Sequence, residues 1–109
     1  MLFNTVMNAT QPVVEAGEVY LTALRDGDYT RAYDMSASAL QQEVGDAEGL
    51  QVLMAERQLA TWSITSRSIN NSQGNLSGTT TYTNGETGTV EMALTQVGNE
   101  WKVSGLSLR

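Results

Sequence analysis

The amino-acid sequence predicts an α+β domain in which three N-terminal helices pack on the concave face of a curved, four-stranded antiparallel sheet. Two observations support this prediction. Apolar residues recur at helical spacing in the first half of the chain, and from Leu59 onward apolar and polar residues alternate with the period of two that strands show. Because the helical segments come first and the strands follow, we expect the helices to cover one face of the sheet.

The first helix is predicted over residues 12–25. Pro12 suits a first helical turn, where its missing N–H group would have no partner in any case. Gly17 costs about 1 kcal/mol relative to alanine inside a helix, so we expect it to allow close approach to the element beneath. The apolar stripe of this helix consists of Val13, Gly17, Tyr20, Leu21 and Leu24.

Two further helices are predicted from their end signals. Gly27 can adopt the left-handed conformation that ends the first helix, and Asp28 is a strong N-cap for a helix over residues 28–35. Gly45 and Asp46 provide the same pair of signals before a helix over residues 46–57. Residues 36–44 between them are weakly helical, enough for a turn or two.

Hairpin signals divide the second half of the chain into four strands. Asn84-Gly85 and Gly98-Asn99 are typical two-residue hairpin turns. Residues 70–75, which are rich in Asn, Ser and Gly, predict a longer connection between the first two strands.

The last strand contains a break in its alternation. Trp101 and Val103 share one face, whereas Leu106 and Leu108 would point to the other face if the pairing were regular. A β-bulge at Ser104-Gly105 would return all four to the core and bend the sheet. We expect Gly105 to hold a strained backbone conformation there, so that Gly105→Val destabilises the fold.

The outer face of the predicted sheet is polar and rich in threonine. Such a face is suited to solvent and too polar for a large dry contact, so the sequence predicts a monomer or a weak, wet homodimer. The residues on this face are Ser77, Thr79, Thr81, Thr83, Thr87, Thr89, Glu91, Thr95 and Lys102.

Two segments resemble the nuclear-transport-factor-two-like (cystatin-like) superfamily. The sequence LRDGDYTRAY at residues 24–33 is similar to the helix–corner–helix of these domains, and GNEWKVSG at residues 98–105 is similar to their last strand. The closest resemblance is to small uncharacterised bacterial members that an N-terminal helix often attaches to a membrane. The resemblance implies a cone-shaped cystatin-like fold, but no single function, since the superfamily holds enzymes, ligand binders and adaptors.

A chain of 109 residues forms one domain, which we place at residues 12–109. Residues 1–11 are expected to be a flexible stub, either a frayed terminus or a spacer that followed a removed membrane anchor. By its resemblance, the full-length protein is expected to be extracytoplasmic and membrane-anchored, although no transmembrane span is visible in this sequence.

Composition excludes several functions. The formal net charge is −6, and the five arginines and single lysine are scattered among acids, which argues against nucleic-acid binding. The chain has no cysteine and no histidine, so thiolate metal sites, thiol chemistry and histidine catalysis are impossible. We predict no cofactor and no metal.

The acidic residues do not form a catalytic constellation. Glu86 and Glu100 fall in predicted turns, and Glu91 lies out of phase with the inward-facing residues of its strand. The pair Asp26 and Asp28 is explained by turn and cap chemistry, since a calcium loop needs several more oxygen ligands. The sequence therefore predicts that the protein is not an enzyme.

A candidate ligand site is the space between helices and sheet. Its lining would be large and apolar-bodied, with polar tips on the aromatic residues that could orient a guest. Gly78, Ser66, Ser68 and Thr80 are small inward candidates that could leave unfilled volume. Core packing explains the same side chains equally well. The candidate lining is Tyr20, Leu24, Tyr33, Trp62, Tyr82 and Met92.

Three functional hypotheses follow. The first is a non-catalytic extracytoplasmic interaction or accessory domain with a protein partner. The second is a binder of a small apolar ligand in the helix–sheet cavity, and the third is a relative of isomerases and dehydratases. A filled core favours the first, and an open aromatic cavity favours the second. A buried, inward-facing carboxylate would favour the third.

Overall fold

The structure, a computed structural model, describes residues 11–55 and 58–109. Within these residues four helices precede four strands, in the order that the sequence predicts. The helices are α1 (Gln11–Asp26), α2 (Tyr29–Asp34), α3 (Ser38–Val44) and α4 (Ala47–Leu53). The strands are β1 (Leu59–Asn70), β2 (Gln73–Tyr82), β3 (Thr87–Val97) and β4 (Glu100–Leu108).

The predicted helix ends are confirmed where they fall on described residues. Gly27 has a positive φ of 79°, and the Asp28 carboxylate accepts a hydrogen bond from the backbone N–H of Arg31 at 3.3 Å. The Asp46 carboxylate caps α4 in the same way, accepting from Gly49 N at 3.0 Å. The weakly helical residues 36–44 contain α3, so the structure has one helix more than the three predicted. Helix α4 ends at Leu53 rather than at the predicted residue 57. Residue 57 and residues 1–10 of the stub predicted over residues 1–11 lie outside the described residues, whereas Gln11 begins α1.

The sheet is an antiparallel meander in which β1, β2, β3 and β4 lie side by side in chain order. The two predicted hairpin turns are present: Gly85 and Gly98 have φ of 91° and 64°. The longer connection predicted at residues 70–75 is wrong. Asn70 pairs with Gln73, so only Asn71 and Ser72 form the turn, and Asn71 takes the left-handed conformation with φ of 61°. Asparagine tolerates that conformation, which makes the tight turn possible.

The bulge predicted in the last strand is confirmed. Leu94 pairs with Val103 and Ala93 pairs with Gly105, so Ser104 is the extra residue. The reason expected for Gly105 is wrong, however. Its φ is not positive, and a Cβ built there would lie 3.7 Å from the Ala93 Cβ, an ordinary contact. The bulge therefore needs no glycine.

The free edge of β4 is covered by the segment that joins α2 to α3. The backbone N–H of Val103 donates to the Met35 carbonyl at 2.9 Å, and the N–H of Ala37 donates to the Val103 carbonyl at 2.7 Å. Because an uncovered strand edge can pair with another chain, this contact protects one side of the sheet. It also fixes where the α3–α4 hairpin begins.

The hydrophobic core lies between the helices and one face of the sheet. Helix α1 packs against all four strands and contributes its predicted stripe, while β3 and β4 contribute the alternate side chains. The principal buried residues of the strands are Leu59, Leu76, Tyr82, Val90, Met92, Leu94 and Val103.

Candidate functional site

The six residues predicted to line an interior site are close to the core, but they lie at two levels of burial. Tyr20, Leu24, Tyr82 and Met92 are at most 3% exposed. Tyr33 and Trp62 are partly buried at the border of the core. Of these six, Met92 alone borders any of the depressions described below, and it does so from the far side of the sheet. Ligand binding by this set stays a prediction.

The glycines facing this interior show how closely it is packed. A Cβ at Gly17 would overlap the Leu76 Cδ1 atom, so the predicted close approach of α1 to its neighbour is confirmed. A Cβ at Gly78 would overlap the Ser63 carbonyl oxygen. The space that Gly78 was expected to leave open is therefore occupied by the backbone of β1.

Tyr20 takes part in a buried polar contact within the helical layer. The Ser36 hydroxyl donates to the Ala32 carbonyl at 2.9 Å, which leaves its oxygen to accept from the Tyr20 hydroxyl at 3.1 Å. Burial raises the pKa of the Tyr20 phenol, and the hydrogen bond with Ser36 partly opposes this effect. The phenol therefore stays neutral, and it links α1 to Ser36 in the segment that joins α2 to α3.

Trp62 lies at one end of the core, beneath α1, where it is partly buried. The Arg25 guanidinium lies over its ring, with 5.5 Å between Cζ and the ring centroid, a cation–π distance. The same arginine pairs with the Asp26 carboxylate at 2.9 Å. Arginine and tryptophan together close this end of the core with an exposed charge.

The carboxylates share one property. Every Asp and Glu side chain within residues 11–55 and 58–109 is exposed. Glu91 lies on the outer face of the sheet, as its phase predicts. Within residues 11–55 and 58–109 there is also no group of three Asp or Glu side chains close enough to hold a metal ion.

A polar depression of about 460 Å³ lies on the outer face of the sheet. Ser66 and Ser68 line it, so their predicted inward orientation is wrong. The register of β1 shifts between Ile64 and Ser66, which leaves Thr65 as an extra residue and reverses the alternation beyond it. Ser66 and Ser68 consequently pair with Ser77 and Asn75 of the outer face.

A second, apolar depression of about 430 Å³ lies on the α3–α4 hairpin, at a place where sequence pattern predicts no site. We name it the α3–α4 surface. Its apolar residues are Leu40, Val44, Leu50, Val52, Leu53 and Leu106, and Glu43 stands beside them. Val52 and Leu53 are 72% and 56% exposed, although both are large and apolar. A signal was present: residues 50, 52, 53 and 54 are all apolar, which is more than one buried stripe can accommodate.

Three contacts hold this hairpin rigidly. Helix α4 lies so close to the end of α3 that a Cβ at Gly49 would overlap the Val44 carbonyl oxygen. The Tyr33 hydroxyl donates to the Gly45 carbonyl at 3.2 Å, and the Gln41 amide donates to the Tyr33 carbonyl at 2.9 Å. The α3–α4 surface is therefore a preformed feature anchored to α2.

Among the described residues, no helix is both long enough and apolar enough to cross a lipid bilayer.

Comparison with known proteins identifies the fold. The sequence matches no protein-family model and no curated protein. A DUF4783 family protein from Bacteroides ovatus ATCC 8483 has a similar structure, with a TM-score of 0.62 and 14% identity over 81% of this chain and 88% of that chain. An NTF-2 like protein of unknown function from Shewanella oneidensis MR-1 matches with a TM-score of 0.62 and 13% identity, over 92% of this chain and 98% of that chain. A designed NTF2 protein matches with a TM-score of 0.69 and 12% identity, over 94% of this chain and 97% of that chain.

These likenesses confirm the predicted fold: the chain has the α+β, nuclear-transport-factor-two-like (cystatin-like) architecture. At identities of 12 to 14% they carry information about the fold alone. Function has to be argued from the surfaces and the interior of this chain.

Proposed function

We propose that this chain is a non-catalytic binding domain that acts through its outer surface. The observation that carries the proposal is the packed interior. Tyr20, Leu24, Tyr82 and Met92 are all buried members of one hydrophobic core cluster. A side chain that fills a core has no free surface to offer a ligand. The exposure of the described carboxylates supports the non-catalytic part, because a general acid or base is commonly tuned by burial.

Thermal melts of the wild type and of Trp62→Ala, each against a library of small apolar compounds, test this proposal. If the interior is core, Trp62→Ala lowers stability, and no compound raises the wild-type melting point through Trp62. Because Trp62 is only partly buried, we expect a loss below the roughly 3–5 kcal/mol typical of a fully buried tryptophan. A compound that raises the wild-type melting point strongly, and does nothing for the variant, would overturn the proposal.

The second candidate function, a binder of a small apolar ligand, is favoured by one observation. The Thr80 hydroxyl is buried, and it has no hydrogen-bond partner among the described residues. It pairs across the sheet with Trp62, which is partly buried at the border of the core. A buried hydroxyl of this kind can be satisfied by a water molecule or by a polar atom of a guest. A library hit that is lost in both Trp62→Ala and Thr80→Val would establish this candidate.

We further propose that the full-length protein is anchored to a membrane and carries this domain outside the cytoplasm. The support is the resemblance of residues 24–33 and 98–105 to small membrane-attached bacterial domains. Protease treatment of intact spheroplasts tests the location. Digestion of the domain without lysis agrees with the proposal, whereas protection until lysis contradicts it.

A further inference from the structure

The α3–α4 surface is an apolar feature of the described residues that packing of the core does not explain. Among the residues that the structure describes, four large apolar side chains are exposed, two of them (Val52 and Leu53) on this surface and two (Val19 and Val97) elsewhere. Val52 and Leu53 are consecutive in the chain and are the two most exposed of the four. Single exposed apolar residues are common on proteins, but a contiguous exposed apolar group beside a depression is typical of an interaction site.

The shape of the surface suits a side chain from a partner. The depression of about 430 Å³ lies within the size range of sites that accept apolar groups. Leu40 and Leu50 form its buried floor, and Val52 and Leu53 stand at its exposed side. Because the hairpin is held by the Gly49–Val44 approach and by the Tyr33 hydroxyl, little ordering is required when a partner binds.

Charge identifies the chemistry of the partner. Between Arg31 and Arg57 the sequence contains five acidic residues and no lysine or arginine. Three of the acids, Glu43, Asp46 and Glu48, belong to α3, the corner and α4, and all three are exposed. Glu43 directly lines the depression. The apolar surface therefore has one acid in its lining and two more exposed acids on the same hairpin, and residues 38–53 hold no lysine or arginine to neutralise them.

We propose that the α3–α4 surface binds a basic amphipathic helix of a partner protein, with apolar side chains in the depression and Lys or Arg residues against the acidic rim. The proposal rests on the proposed function and specifies where the binding domain acts and what it takes. Apolar anchors at helical spacing fit a groove of this kind, and opposite charge steers the encounter and sets the orientation.

A second copy of the chain is disfavoured as the occupant. Pairing two α3–α4 surfaces would bring Glu43 and Glu48 of one copy towards the same acids of the other, and like charges at an interface oppose association. Residues 1–7 also lack any lysine or arginine, so they do not supply the positive charge that this rim calls for.

The probe for the test is a fluorescein-labelled amphipathic peptide of leucine and lysine, about five helical turns long. Its two controls are a peptide in which glutamate replaces every lysine, and a scrambled leucine–lysine peptide of the same composition. Binding to the whole chain is measured by fluorescence anisotropy at low and high salt. Amide chemical shifts of the protein, labelled with a nitrogen isotope for NMR spectroscopy, locate the contact.

Two double variants test the two components of the surface. Val52→Ser with Leu53→Ser removes the exposed apolar groups, and Glu43→Gln with Glu48→Gln removes rim charge. Matched controls lie elsewhere: Val97→Ser for the apolar change, since Val97 is 51% exposed on β3, and Glu18→Gln with Glu91→Gln for the charge change. All of these residues are exposed, so each variant is expected to fold, and its melting curve verifies this.

We expect the leucine–lysine peptide to shift amide signals of residues 40–53 and 106. The serine variant should weaken its binding about tenfold or more, and the glutamine variant about threefold or more at low salt. The control variants should bind the leucine–lysine peptide as the wild type does. The glutamate peptide should not bind.

Three results would overturn the inference. They are binding mapped to another surface, equal binding of the scrambled peptide, and no binding of the leucine–lysine peptide by the folded chain. Concentration-dependent self-association that the serine variant abolishes would replace the basic partner with a second copy. None of these outcomes involves Trp62 or the interior, so the failure of this inference is distinct from the failure of the proposed function.

Discussion

Helices α1 and α4 use their apolar residues in opposite ways. In α1 the stripe of Val13, Tyr20, Leu21 and Leu24 is at most 2% exposed. In α4, Leu50 is equally buried, as is the C-cap residue Met54, yet their neighbours Val52 and Leu53 are among the most exposed apolar residues described. Each helix also contains a glycine at a close approach, Gly17 in α1 and Gly49 in α4.

The difference follows from what each helix lies on. Helix α1 crosses the sheet and contacts all four strands, so its apolar stripe is buried, and Val19, which lies outside that stripe, is 37% exposed. Helix α4 packs on α2 and α3 at the edge of the helical layer. Within residues 11–55 and 58–109, no element covers its second apolar flank, Val52 and Leu53. Apolar residues that the fold does not bury are the ones most available for binding.

The largest expected effect is the contrast between two leucines. Leu21→Ala should destabilise the fold by about 2–5 kcal/mol, because Leu21 is fully buried and its loss leaves a cavity. Leu53→Ala should change stability by no more than about 0.5 kcal/mol, because Leu53 is largely exposed. Urea unfolding curves of both variants measure the contrast. Similar losses of stability from both variants would mean that Leu53 is packed more tightly than its exposure indicates.

The two glycines provide the next contrast. Gly49→Ala places a Cβ against the backbone carbonyl of Val44, which cannot rotate away, so we expect a loss of about 1–3 kcal/mol. Gly17→Ala meets the end of the Leu76 side chain, which can adjust, and gains about 1 kcal/mol of helix propensity. Its net cost should therefore be the smaller of the two in thermal melts. The reverse order would show that α1, and not α4, is the helix locked by backbone contact.

Two tyrosine hydroxyls extend the comparison to hydrogen bonds. Tyr20→Phe removes the buried bond with Ser36 and should cost about 0.5–1.5 kcal/mol. Tyr33→Phe removes an exposed bond to the Gly45 carbonyl and should cost less, while loosening the α3–α4 hairpin. Denaturation midpoints give the two costs, and amide hydrogen exchange in residues 45–53 reports the loosening. Unchanged exchange in Tyr33→Phe would mean that this bond does not hold the hairpin.

The smallest expected effect is a pH dependence of α1. Burial raises the pKa of Tyr20, so the phenol ionises at lower pH in the unfolded chain than in the folded one. The contribution of neutral Tyr20 to stability is complete below its ordinary pKa of about 10 and is lost as the pH rises above it. Part of the fall in melting temperature above about pH 10 should disappear in Tyr20→Phe. An identical fall in both proteins would contradict the assignment.

The sequence predicts the layer order, the caps Asp28 and Asp46, both glycine-containing hairpins and the bulge after Val103. All of these depend on local chemistry or on alternation within one strand. The shift at Thr65 was not predictable, because β1 contains too few apolar residues for its parity to be read, and the register depends on β2. The same shift explains why Ser66 and Ser68 were assigned to the wrong face.

The candidate site shows the same division between local and tertiary information. Sequence pattern selects Tyr20, Leu24, Tyr33, Trp62, Tyr82 and Met92 as large inward residues, and their place in or at the core agrees with that selection. Pattern cannot tell a packed core from a lined cavity, since both need the same side chains. Nor could it place the exposed flank of α4, because that depends on which element lies over Val52 and Leu53.

The central claim is that the interior of this fold is a filled core, and methyl NMR spectroscopy under xenon pressure tests it most directly. Xenon enters empty apolar cavities and shifts the methyl signals around them. We predict no saturable shift for the methyl groups of Leu24 and Met92, with Val97, which is 51% exposed, serving as the solvent-exposed reference. A saturable shift at Leu24 and Met92 that is absent from Val97 would reveal an interior cavity and contradict the account.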